Sequence, residues 1–255
     1  MPNLGLGTAL ASSGLVTPGI VTSNLVMKHN YAAGSVVPLS DGSAYFDGTN
    51  SKISMGDVLD FGTDDFSITA WVKFPDADVA SQQAIVSKFV DANTNISLRL
   101  GTANKFIITA KAEGNTVIGH AGDAVVDALE GTWVHLAFTC DRDGLVKLYV
   151  NGSTAPYGRS SSSAESSQNL STGNTGDLTF GINSADGEDF EGHICNVGIW
   201  HEEALTEVQV KSIMNKKYSD LTTSESDNLV GWWALDEGSG TTAVDSKGSN
   251  NGSLS

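Results

Sequence analysis

The sequence predicts an all-β protein built from antiparallel strands, and three observations predict it. Short stretches alternate apolar and polar residues with a period of two. The cleanest is Phe66-Ser-Ile-Thr-Ala-Trp-Val-Lys-Phe74, in which Phe66, Ile68, Ala70, Val72 and Phe74 share one face of a half-buried strand. Residues 133–152 read as two more such strands, joined at Asp143-Gly144 and closed by Asn151-Gly152, dipeptides that tolerate the positive φ of tight hairpin turns. Finally, 28 glycines and a charged fraction of only 17% suit many short strands linked by tight turns.

Taken in order, residues 1–42 stand apart. They are rich in Gly, Ala, Ser, Thr, Val and Leu, nearly uncharged, and interrupted by Pro2, Pro18 and Pro38. No helical period persists there and Pro and Gly break any strand, so the segment is expected to be an extended N-terminal arm used for assembly or docking. The globular body begins at Ser43-Ala-Tyr-Phe-Asp-Gly. After the Phe66 strand, further strands are expected at 84–89, 96–100, 106–110 and 116–119, separated by Asn, Asp and Gly turns. In the hairpin, Val146, Leu148 and Val150 face one way and Lys147 and Tyr149 the other. Residues 153–176 form a loop by composition, and strands resume at 178–182 and 190–200. One short helix is predicted: Thr206-Glu-Val-Gln209 is a capping box, with Leu205, Val208 and Ile213 as apolar anchors. Residues 228–252 read as one or two strands around a Gly-rich turn, with Trp232 and Trp233 on opposite faces, so that at least one buries.

A length of 255 residues fits one large all-β domain with appendages or two small ones, and a hydrophobic fraction of 40% is enough for a core. The net charge of −16 argues against binding nucleic acid, whose phosphates it would repel; it suits solubility, calcium, or a basic surface on a partner. Cys140 and Cys195 both lie in apolar strand-like runs and are either two buried thiols or one bridge between neighbouring strands. The first residues show neither a basic region nor a continuous apolar stretch of signal-peptide length, and no run is long enough to span a membrane. Synthesis in a cytoplasm is therefore expected, and the sequons at Asn95, Asn151, Asn169 and Asn251 read as turn chemistry. His29, His120, His135, His193 and His201 show no metal-binding spacing, and no G-x-S-x-G elbow occurs. No strand carries the paired carboxylates that cleave glycosides. Asp236-Glu237 sits beside a Gly turn, and Glu188, Asp189 and Glu191 read as a solvated strand edge. The expectation is a protein that is not an enzyme, with no catalytic residue and no cofactor assigned.

Four motifs occur in order: Tyr45-Phe-Asp-Gly48, Phe66-Ser-Ile-Thr-Ala-Trp-Val72, the 133–152 hairpin, and Phe190-Glu-Gly-His-Ile-Cys-Asn-Val-Gly-Ile-Trp200 followed by Ala204-Leu-Thr-Glu-Val-Gln-Val. Over residues 43–220 they resemble a laminin-G-like (concanavalin A-like, pentraxin-like) domain. The resemblance implies a two-sheet antiparallel jelly-roll sandwich whose inner faces form the core. It also implies that His135 is structural, packed with a satisfied ring nitrogen. In this family the strand before the helix carries an acidic pair that helps to bind calcium in some members; here Cys195 and Asn196 stand at those positions. Calcium prefers several oxygen ligands, which leaves Asp47, Asp141, Asp143, Asp186 and Asp189 as weak candidates for it. A motif like Leu229-Val-Gly-Trp-Trp-Ala-Leu-Asp-Glu-Gly usually precedes the Phe-Asp-Gly strand but follows it here. Residues 221–255 are thus expected to complete either their own sandwich or a neighbour's.

Two functional expectations follow. The first is a structural virion protein: a phage capsid decoration, fibre or tail-associated subunit that displays the sandwich. Residues 1–42 and 228–255 would contact other virion subunits or further copies of the chain. The style of the sequence is similar to that of phage structural proteins, which is analogy. The alternative is a carbohydrate-binding, lectin-like module, located outside the cell, that recognises a cell-surface or polymeric glycan. Its aromatic platforms would come from Tyr45, Tyr157, Trp200 and Trp232.

Overall fold

The structure, a computed structural model, describes residues 42–112, 115–160, 168–183 and 187–255. The arm expected over 1–42 lies outside the described residues save for Gly42, and so does Asp186. In chain order the first strands are β1 (Ala44–Asp47), β2 (Ile53–Ser54), β3 (Phe66–Lys73), β4 (Gln83–Asp91), β5 (Thr94–Gly101), β6 (Lys105–Ala112) and β7 (Asn115–Ala121). Then come β8 (Val134–Cys140), β9 (Val146–Val150), β10 (Arg159–Ser160), β11 (Leu178–Phe180) and β12 (Glu191–His201). Helices α1 (Glu207–Ile213) and α2 (Thr223–Ser226) precede β13 (Leu229–Trp233), β14 (Thr242–Ala243) and β15 (Gly252–Leu254). The sequence predicted one helix and the structure has two, the second a single turn that carries its own capping box from Thr222 to Glu225.

The strands form two antiparallel sheets in a jelly-roll sandwich. The first runs β1-β12-β3-β8-β9-β10, with β13 also paired to β12; the second runs β14-β15-β2-β11-β4-β5-β6-β7. The period-two pattern is the reason the faces sort. Phe66, Ile68, Ala70, Val72 and Phe74 all enter the core between the sheets. On the second sheet, Ile53, Phe180, Val86, Leu98 and Ile108 stand side by side across five strands and face that core. The neighbouring row, Ser54, Thr179, Ser87, Ser97 and Thr109, faces away from it.

The outer face of the first sheet carries a second cluster, in which Ala137, Tyr149, Trp200, Leu229 and Trp232 meet Leu205, Val210 and Ile213. Here the predicted capping box is present: Gln209 N–H donates to Thr206 Oγ1, and Gln209 Oε1 accepts from Thr206 N–H at 2.9 Å. That cap fixes the helix phase. Leu205 just before the cap and Val210 four residues into the helix form a hydrophobic staple over the sheet, whereas Val208 points outward and is 78% exposed. The expected anchor at Val208 is therefore corrected to Val210.

β13 pairs with β12 of the same chain, and β15 pairs with β2. Trp233 enters the inner core, edge-on to Phe180 of the other sheet at 5.3 Å between ring centroids, while Trp232 meets Trp200 in the outer cluster at 6.3 Å. Both indoles bury. Three strands form here rather than one or two, because Asp245 gathers the turn. Its Oδ1 accepts the N–H groups of Trp232, Lys247 and Gly248, and its Oδ2 that of Asn250.

Of the two expected positive-φ turns, only Asn151-Gly152 uses them, at 52° and 78°. At the other turn Gly144 does not have a positive φ, and a Cβ there would lie 2.2 Å from a carboxylate oxygen of Asp141, which would have to turn aside. Cys140 and Cys195 do not bridge. They stand opposite Phe66 and Trp71 of β3, five residues and so about 17 Å apart along the strand. Burial pushes the Cys140 thiol up to about 12. Among the described residues no helix is long and apolar enough to cross a membrane.

Candidate functional site

The second cluster covers only part of the outer face of the first sheet. Beyond it the strand register sets Tyr45 of β1 opposite His193 of β12, and His193 opposite Lys73 of β3. Trp133 lies one residue before β8. Because Val134 faces the core, Trp133 is turned outward, and its ring centroid is 6.0 Å from that of His193. Tyr45 is tilted 48° to the His193 ring at 5.0 Å and is 60% exposed. The rings thus form an aromatic row over four neighbouring strands, with Tyr45 exposed and His193 and Trp133 partly buried.

Beside it is a cleft of about 380 Å³, bounded by Tyr45, Lys73, Pro75, Glu191 and His193. That volume falls within the range of small-molecule sites. Gly192, at φ 142°, lets β12 and β3 close up under the cleft, since a Cβ there would lie 2.2 Å from the Lys73 carbonyl oxygen. Ser43 Oγ lies 3.1 Å from His193 Nδ1 and holds the ring. Burial, and then the charge of Lys73, hold His193 below the usual histidine range, so it is neutral at pH 7.

Of the four aromatic candidates, Tyr45 alone lies on this surface. Tyr157 belongs to the loop between β9 and β10, at the opposite edge of the sheet, and packs partly against the core. Trp200 and Trp232 are 0% and 2% exposed and cannot serve as platforms. The correction has a physical cause: each indole fills the space between the sheet and α1, and Trp200 Nε1 donates to the Glu225 carbonyl at 2.8 Å. Sequence reasoning passed over Lys73, Trp133, Glu191 and His193. The outward phase of Lys73 was readable from the alternation of its strand; the register that brings Tyr45 to His193 was not.

The four calcium candidates among the described residues fall into two separate pairs. Asp47 accepts from Thr49 N–H and Ser51 Oγ–H, which hold its carboxyl below the usual range, Ser51 most; Asp189 accepts from Asn50 N–H at 2.6 Å in the same loop. Asp141 and Asp143 lie past Cys140, at the end of β8 that reaches His201 through Phe66. β12 runs 11 residues between the two groups, roughly 35 Å. Among the described residues no three His, Cys, Asp or Glu side chains are placed to hold a metal. His135 is buried against Trp71, at 5.4 Å, and burial lowers it to about 3. Among the described residues its Nδ1 has no hydrogen-bond partner, so the expected satisfied nitrogen is not found at that atom.

The Laminin_G_3 family model, described as the concanavalin A-like lectin/glucanases superfamily, matches residues 47–211. The chain belongs to that superfamily. The match runs from the last residue of β1 to the middle of α1, leaving Tyr45 just outside it, and so takes in most of both sheets. No curated protein matches the chain in sequence. Among solved structures, this superfamily member is similar to a proposed carbohydrate-binding protein from Bacteroides ovatus ATCC 8483, with a TM-score of 0.57 at 19% identity over 83% of this chain and 57% of the other. The chain thus spans little more than half the length of that relative. It is also similar to the carbohydrate-binding domain of a Ruminococcus gnavus sialidase, bound there to α2,3-sialyllactose (TM-score 0.52, 14% identity, 69% of this chain and 98% of the other). A third is the heptameric SAP-like pentraxin of Limulus polyphemus (TM-score 0.50, 17% identity, 67% and 80%). At these identities the likeness is one of fold.

Proposed function

We propose that this protein is a non-catalytic, lectin-like module that binds a glycan on the surface formed by Tyr45, His193 and Trp133. The observation that carries the reading is Tyr45: a large aromatic ring, mostly exposed, tilted against a second ring and set beside a cleft with donors and acceptors. Sugars present apolar C–H faces ringed by hydroxyls, and an aromatic plane flanked by a few polar groups is complementary to both. The sandwich is the support that holds these residues in register. Display on a virion, the setting that residues 1–42 suggest, stays an expectation of the sequence; the exposed Tyr45 ring beside the cleft speaks for glycan binding.

The test is a glycan array probed with the full chain and with Tyr45→Ala. Binding that the variant loses supports the reading. Binding retained in full by the variant, or no binding by the full chain, overturns it.

A further inference from the structure

Resting on the glycan-binding reading above, the cleft's charges point to a ligand class. We infer that the anchoring unit is a neutral pyranose presenting two adjacent hydroxyls, and that sugars carrying a carboxylate are refused.

Lys73 and Glu191 line the same cleft on either side of His193. Lys73 stands opposite His193 across the β12–β3 ladder, and Glu191 lies two residues earlier on the same face of β12. Among the described residues neither the Lys73 ammonium nor the Glu191 carboxylate is in any ion pair. The cleft therefore offers one unspent cationic donor and one unspent anionic acceptor. Each sugar hydroxyl can both accept and donate, so two neighbouring hydroxyls satisfy both groups at once. Lys73 would donate to the first oxygen and the O–H of the second would donate to Glu191, with a C–H face of the ring on Tyr45. Charge-assisted hydrogen bonds of this kind are the strong ones.

The same groups set the discrimination. Glu191 is the one carboxylate that lines the cleft, and Asp47, its partner across the β1–β12 ladder, adds a second negative charge just outside it. The whole chain carries −16. A uronate or sialate carboxylate would enter a field of its own sign, and like-charge juxtaposition is how binding surfaces reject wrong partners.

The full chain is titrated by NMR with methyl hexopyranosides and with the matching methyl hexopyranosiduronates. At least one neutral glycoside is expected to bind, with its uronate counterpart weaker by roughly tenfold or more. Glu191→Gln, an exposed change checked for an unaltered unfolding midpoint, is expected to weaken the neutral sugar by about tenfold and to narrow the gap to the uronate. Uronates that bind as well as their neutral counterparts, with both lost in Tyr45→Ala, would overturn this inference and leave the glycan-binding reading standing. Neutral binding unchanged by Glu191→Gln also overturns it. If the array and the titrations show no sugar bound at all, both fall.

Discussion

Gly198 stands directly opposite Trp232 across the β12–β13 ladder. A Cβ at 198 would lie 2.9 Å from the Trp232 indole and 2.8 Å from that of Trp200. A missing side chain on one strand is thus the space in which two tryptophans meet. Gly198→Ala forces both rings to shift and is expected to cost about 1–3 kcal/mol, read as a lower urea midpoint. An unchanged midpoint would show that the cluster yields freely.

Asp245 should rank its own variants. Asp245→Ala removes the acceptor for four backbone N–H groups, whereas Asp245→Asn keeps an oxygen for the three at Oδ1 and loses only the acceptor for Asn250. Alanine is expected to cost about 2 kcal/mol or more and asparagine clearly less, because unsatisfied buried donors are the expensive part. Equal losses in denaturant unfolding would contradict the assignment of roles.

His135 makes the fold sensitive to mild acid. Its folded value is depressed from 6.5 to about 3 by burial. Above pH 6.5 the ring is neutral in both states and its contribution is fully present. Between about 6.5 and 3 the unfolded chain takes up the proton and the folded one does not, so stability falls with pH until the folded ring titrates too. His135→Phe is expected to flatten the fall in urea midpoint between pH 7 and pH 4; parallel slopes for wild type and variant would count against it.

Tyr45 and Trp200 separate binding from folding. Tyr45→Ala, at an exposed position, is expected to change stability by no more than about 0.5 kcal/mol. Trp200→Ala empties a buried site and is expected to cost about 3–5 kcal/mol. Thermal melts of the two variants beside the glycan array make the comparison; a destabilised Tyr45→Ala would mean that the ring is core.

What could be read in the sequence was whatever a single strand or turn encodes in itself. The alternation from Phe66 to Phe74 named the inner face, and Thr206 with Gln209 named the start of α1. What depends on a second strand could not be read. Trp200 looks like a platform until β13 is known to pair with β12 and bring Trp232 against it. The candidate site is harder still, because Tyr45 and His193 meet through a register spanning 148 residues, of which only Tyr45 carried a signal. Asn196 shows the limit from another side: its positive φ of 47° marks an interruption in the β12–β3 register that no alternation pattern announces.

The stretch from Leu229 to Leu254 contributes β13 to one sheet and β14 and β15 to the other. A chain released early from the ribosome, or clipped after α2, would hold twelve of the fifteen strands and yet have an unlatched seam in each layer. Such a fragment would show sticky, tryptophan-sized gaps to chaperones and proteases. One short stretch thus closes both layers, and losing it would open the two sheets together.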